Sequence, residues 1–296
     1  MNRIIVDKNS NIPTIKKALE YLDKSSDNEI FIKAGIYYEK IKITNYQNNL
    51  RIVGEDKENT IISFNDHALK IHSDGKEFNT FRTYSLMLLG TNITLENITV
   101  ENTSGCGKRF GQAVALSVTG DNIKIKNCNL KAYQDTLFLG PLPFDLLERY
   151  KDFLPKDELI YPKDHRVYVD DTYIEGDVDF IFGGAEAYFS NCVIHSLERN
   201  GFVFAPCTEL IEEKGFVVKR CKFTGASNVP NTYLARPWRD YGMVDIFDSI
   251  MDNHIYDLGF DKWNDTNRDK TCRFNEYNSK YFDNHPYERC YFVNRK

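Results

Sequence analysis

The sequence of 296 residues has no excess of positive charge. Its 38 Lys and Arg stand against 43 Asp and Glu, a net charge of −5. Phosphate backbones are bound by basic surfaces, so this balance argues against a nucleic-acid partner. There is also no long hydrophobic run. Residues 1–11 carry only the apolar triplet Ile4 to Val6, shorter than a secretory signal needs. No stretch approaches the roughly 18 apolar residues of a membrane span, so no membrane partner is expected. A cytoplasmic location follows as an expectation, or an extracellular one if the chain is a processed form. The seven cysteines are odd in number and include no CxxC, and none of the six histidines falls in an HExxH. A disulfide framework and a zinc site therefore lack support, and free buried thiols are the expectation. No metal and no cofactor is expected. The sequence has no GxSxG, which removes support for serine-based ester hydrolysis.

The chain does have enough apolar character for a core. Hydrophobic residues make up 42% and charged residues 27%, outside the disordered range. At about 150 residues per domain the length allows two domains, or one large β or α/β domain. Aromatics are abundant, with 18 Tyr and 20 Phe. They suit sugar faces, although composition alone favours core packing.

One helical pattern is present, Ile12–Leu22, with Ile12, Ile15, Ala18, Leu19 and Leu22 on one face and Pro13 in the first turn. Short alternating strands follow around residues 30–32, 41–43, 50–53 and 60–63. Five later segments then superimpose: 92–100, 122–130, 166–174, 186–194 and 216–223. Each reads strand, polar corner, strand. The corners are Asn97, Asn127, Asp171, Asn191 and Arg220, separated by 30, 44, 20 and 29 residues. Irregular repeats with one such unit per turn indicate a solenoid. The slot after each corner holds Ile98, Cys128, Thr172, Cys192 and Cys221, an expected internal ladder that accounts for three cysteines. The expected fold is an all-β parallel β-helix, with the 12–22 helix covering one end. Residues after 252 read as a loop-rich end piece packed on it. No linker interrupts the chain, so residues 1–296 form one domain.

Four segments carry polar groups among apolar neighbours: Gly111–Leu116, Tyr133–Leu137, Gly176–Gly183 and Tyr233–Trp238. Stacked coils would bring them together. Asp135, Asp179, Arg236, Gln112 and Gln134 then form a working set. One carboxylate can act as nucleophile and a second as acid or base. A neighbouring Arg keeps one Asp ionised while its unpaired neighbour holds a proton more readily. Amide side chains can donate to an oxyanion. Taken singly, each residue also has a structural explanation as a turn former, an ion pair or a backbone partner.

At these residues the chain closely resembles the pectin methylesterase (pectinesterase) family, carbohydrate esterase family 8. Gly35–Glu39 matches GxYxE, Gln112–Leu116 QAVAL, Gln134–Leu137 QDTL, Asp179–Gly183 DFIFG, and Leu234–Trp238 approximates LGRPW. Asn11–Leu19 and Phe274–Asn278 are similar to the family's opening and closing segments, so the resemblance covers nearly the whole chain. It implies a single-stranded right-handed parallel β-helix that hydrolyses the C6 methyl ester of galacturonate in homogalacturonan or its oligosaccharides, releasing methanol. It further implies Asp179 as nucleophile, Asp135 as general acid and then base, Gln112 and Gln134 at the oxyanion, and Arg236 orienting Asp179. Trp238 and Phe182 would stack on sugar rings, and Phe138, Tyr133 and Ser85 are further expected substrate contacts. A monomer is expected.

Two features depart from the family. Ala235 stands where the family has glycine before the Arg, which could shift the backbone there. Asp135 and Asp179 lie 44 positions apart, with an inserted loop at about 141–165. That loop is expected to wall the groove and favour chain ends or short oligomers; the alternative is a surface loop that touches nothing. A polysaccharide lyase, a glycosidase acting through paired carboxylates, and a non-catalytic carbohydrate-binding solenoid are the competing readings.

Overall fold

The computed structural model describes residues 1–197, 200–226 and 229–295. Short strands wind through three parallel sheets, one strand from each sheet per coil. Among the described residues these sheets have eleven, nine and seven strands. One coil illustrates the pattern: Ile123–Lys126 in the first sheet, Asn129–Lys131 in the second and Leu137–Leu139 in the third. Alternation drives the winding. Ile123 and Ile125 point inward while Lys124 and Lys126 face water, as a strand's period of two requires.

The corner between the first and second sheets is a single residue in the left-handed region. Asn97, Asn127, Asp171, Asn191 and Arg220 all adopt it, with φ between 48 and 57°. Asn and Asp tolerate this conformation because a short polar side chain can bond locally. Successive corners also bond to each other: Asn127 Nδ2 donates to Asn97 Oδ1 at 2.7 Å. The predicted inner ladder is present, with Ile98, Cys128, Thr172, Cys192 and Cys221 at most 1% exposed. Burial pushes the Cys128 thiol up to about 12, so it is a packing group.

The ladder runs further than the sequence indicated. Asp248 and Asn278 are also left-handed corners, followed by Ser249 and Ser279. The end piece therefore contains a true coil, Arg273–Tyr277 and Lys280–Tyr281, paired in register with Met243–Phe247 and Ile250–Met251. Its polar composition hid the alternation: Glu276 points inward and is neutralised there by Arg289, Nε to Oε2 at 2.6 Å.

The helix at the other end is shorter than expected, Ile15–Leu19. Pro13 lies before it, because Thr14 is the N-cap and accepts from the Lys17 N–H at 3.1 Å. Glu39 accepts from the N–H groups of Ile15 and Lys16 at 2.9 and 3.0 Å. Ile15 and Ala18 enter the core, and Ile12 and Leu22 pack against it from outside the helix.

The 141–165 insertion is folded. It forms a helix, Phe144–Tyr150, and a 3-10 turn, Lys156–Leu159. Leu142, Leu146, Tyr150 and Leu154 cover outward-facing residues of the third sheet, including Met87, Phe138 and Phe182. Several bonds tie the insertion down. Tyr150 Oη donates to Asn79 Oδ1 at 2.9 Å, Lys42 pairs with Asp157 and Glu158 at 2.8 and 3.0 Å, and Arg82 donates to the Phe153 carbonyl.

Candidate active site

The pairing of Leu137 with Ile181 and of Phe138 with Phe182, carried back two residues, aligns Asp135 with Asp179 on adjacent coils. The Asp135 N–H donates to the Val178 carbonyl at 3.2 Å. Both acids are left-handed, with φ of 67 and 50°. Asp179 sits where its strand slips register against Gly201–Pro206, between Val178 and Ile181. A bulge of this kind re-aims a side chain, and here both acids line one groove of about 560 Å³.

Arg236 follows the strand Thr232–Ala235, two coils beyond Asp179. Its Nε and Nη2 donate to Asp179 Oδ1 and Oδ2 at 2.8 and 2.6 Å. The guanidinium lies 3.8 Å from the centre of the Phe202 ring and 4.0 Å from that of Trp263. Two aromatic faces and a planar two-point bond fix its position. The Ala235 methyl points into the core, opposite Phe204, and φ there is not positive. The departure from glycine therefore leaves the Arg236 backbone undisturbed.

The two acids differ in charge environment. Asp135 is 7% exposed and Asp179 9%. Burial raises both carboxyls above the ordinary range. For Asp179 the hydrogen bonds and charge of Arg236 oppose that rise. For Asp135 the charges of Asp179 and Asp177 add to it, and it is held well above the ordinary value. Asp179 ionises first and Asp135 keeps its proton, which divides the pair into an anion and an acid.

Gln112 and Gln134 line the same groove. Their backbones are pinned, Gln112 O by the Ala68 N–H at 2.8 Å and Gln134 O by the Ala113 N–H at 3.0 Å. The Gln134 side chain rests on Gly107, where an added Cβ would lie 2.6 Å from Oε1. Trp238 and Phe182 also line the groove, edge to face with centroids 5.7 Å apart.

Three expected contacts lie elsewhere. Ser85 is 0% exposed, and its hydroxyl donates to the Glu101 carbonyl at 2.7 Å, out of a substrate's reach. Phe138 faces outward from its strand but is buried beneath the insertion, between Phe81 and Phe182. Tyr133 is half-buried and outside the groove lining. Sequence reasoning also missed Trp263 and Phe202, which cradle Arg236, and Leu146, Arg149 and Tyr150, which the insertion supplies to the groove. The apolar pair Leu146 and Tyr150, at helical spacing, was the available signal for the last group. Nothing local marks Trp263 or Phe202.

Comparison with known proteins agrees with this geometry. The pectinesterase family model matches residues 3–141 and 150–291. A pectinesterase from Petunia integrifolia is 33% identical over 94% of this chain and 70% of its own length. A probable pectinesterase/pectinesterase inhibitor 12 from Arabidopsis thaliana is 28% identical over 93% of this chain, which spans only 47% of that relative. A crystal structure of a pectin methylesterase in complex with a hexasaccharide superposes with a TM-score of 0.83 at 25% identity, covering 100% of this chain and 93% of the other. The coils form a right-handed parallel β-helix, as in these neighbours. With its motifs, fold and family match in agreement, the chain belongs to the pectinesterase family.

Proposed function

We propose that Asp179 and Asp135 carry out the activity of this family, hydrolysis of the C6 methyl ester of galacturonate units in pectin. The observation that carries this reading is the asymmetry of the pair: Arg236 grips both oxygens of Asp179, while Asp135 beside it has no such partner and is raised by burial and by two neighbouring carboxylates. The ionised Asp179 attacks the ester carbonyl carbon. The carbonyl oxygen becomes an oxyanion, met by amide N–H groups of Gln112 and Gln134. Collapse of the tetrahedral species breaks the bond to the methoxy oxygen, and Asp135 donates its proton to the departing methanol. Asp135, now a carboxylate, takes a proton from water, and the hydroxide attacks the acyl–Asp179 carbonyl. Asp179 leaves as a carboxylate, Asp135 is again protonated, and the product is galacturonic acid, which gives its proton to solvent. Trp238 offers ring surface to the sugars, and Phe182, 3% exposed, backs it from beneath.

Methanol release from methyl-esterified oligogalacturonides tests the reading, with wild type active and Asp179→Ala inactive. New reducing ends without methanol would instead identify a glycosidase. Unsaturated, ultraviolet-absorbing ends would identify a lyase.

A further inference from the structure

Three guanidinium groups line the groove: Arg149, Arg236 and Arg239. Two are already neutralised. Arg236 holds Asp179, and Arg239 bonds Asp145 through Nη2 at 2.8 Å. Among the described residues Arg149 has no carboxylate within ion-pair distance, and its side chain is exposed. Its position is fixed, because Leu146 and Tyr150, three residues before and one after, are buried against the solenoid. The Asp145–Arg239 pair and the Tyr150–Asn79 bond tie the same helix to both sides of the groove. Arg149 also lies outside the family match, in its gap at residues 142–149.

The chemistry of the proposed reaction says what such a cation would distinguish. A methyl-esterified unit is neutral at C6, whereas the product unit carries a carboxylate. The lining's acidic groups, Asp135, Asp179 and the exposed Glu77, disfavour a free carboxylate, and the other two cations, Arg236 and Arg239, are held by Asp179 and Asp145. Arg149 is the lining group that attracts one. We propose that Arg149 binds the free carboxylate of a galacturonate unit flanking the reacting ester, so that partly de-esterified chains are better substrates than fully esterified ones. This rests on the esterase reading above.

The test compares kcat/KM for methanol release on two hexagalacturonides, one fully methyl-esterified and one with a subset of free carboxylates. Wild type is expected to favour the second by about three- to fivefold, the scale an exposed charge pair supports. Added salt should erode that preference. Arg149→Gln should bring the ratio close to one, Arg149→Lys should retain part of it, and Arg149→Glu should push it below one. A wild-type ratio near one, or a ratio unchanged in Arg149→Gln, overturns the proposal while the esterase reading stands. Absence of methanol from both substrates with folded wild type overturns both.

Discussion

Asp135 and Asp179 occupy equivalent positions on neighbouring coils, with the same left-handed backbone, yet only Asp179 is held by an arginine. Stacking supplies two identical groups, and the bulge plus one guanidinium two coils away makes them unequal. That inequality underlies the predictions below.

Asp135→Asn removes the proposed proton donor and base and should abolish methanol release, while the fold persists. It should also stabilise the protein near neutral pH. A carboxyl raised in the folded state contributes stability at low pH that is lost as pH rises through the folded value. At pH 7 the native Asp135 therefore opposes folding, and its removal should raise Tm by about 2–4 °C for each kcal/mol relieved. Thermal melts of both forms at pH 4 and pH 7 check this: the gain should appear at pH 7 and shrink at pH 4.

Activity should be bell-shaped in pH, since the proposed mechanism needs Asp179 ionised and Asp135 protonated. The acid limb follows Asp179 and should lie above the ordinary aspartate value of about 3.9, because burial raises it. Arg236→Lys weakens the two-point bond that opposes that rise. Its acid limb should move to higher pH and its kcat should fall. An acid limb identical to wild type would show that Arg236 does not set the ionisation of Asp179.

Gly107→Ala places a methyl 2.6 Å from Gln134 Oε1, and one of the two must move. Alanine suits the helix Gly107–Phe110, so the fold should survive. Displacement of Gln134 should lower kcat toward the loss, on the order of 10²–10³, typical of removing one oxyanion donor. Steady-state kinetics should show kcat falling with little change in KM.

His254 is fully buried, and neither ring nitrogen has a hydrogen-bond partner. Burial, aided by the nearby His195, lowers it to about 4. An unfolded histidine, near 6.5, binds a proton more readily, so stability is full above about pH 6.5 and declines as pH falls toward 4. The loss should approach about 3 kcal/mol, and His254→Leu should flatten it. Urea unfolding at pH 7 and pH 4.5 reads the difference directly.

The solenoid was legible because its grammar is local. Asn127 and Asn191 mark corners by residue type, and Ile123 and Ile125 mark the inward face by alternation. The coil at 273–281 was not, because its inward Glu276 is acceptable only beside Arg289, a partner thirteen residues away. The acids, amides and Arg236 were legible as short motifs. Phe138 was misjudged because exposure depends on what covers a strand, and the insertion covers this one, and Ser85 because its buried hydroxyl is turned to the Glu101 carbonyl.

The sequence by itself determined the coil repeat and the inner ladder, since alternation and corner chemistry act over a few residues, and it marked the acids, amides and Arg236 as candidates. Only the tertiary structure decided which carboxylate is paired, which aromatics clamp Arg236, and that Arg149 lines the groove with no carboxylate within ion-pair distance among the described residues. Those outcomes depend on register between coils and on the packing of the 141–165 segment. Distances of a few ångströms between residues tens of positions apart arise only once the coils have stacked.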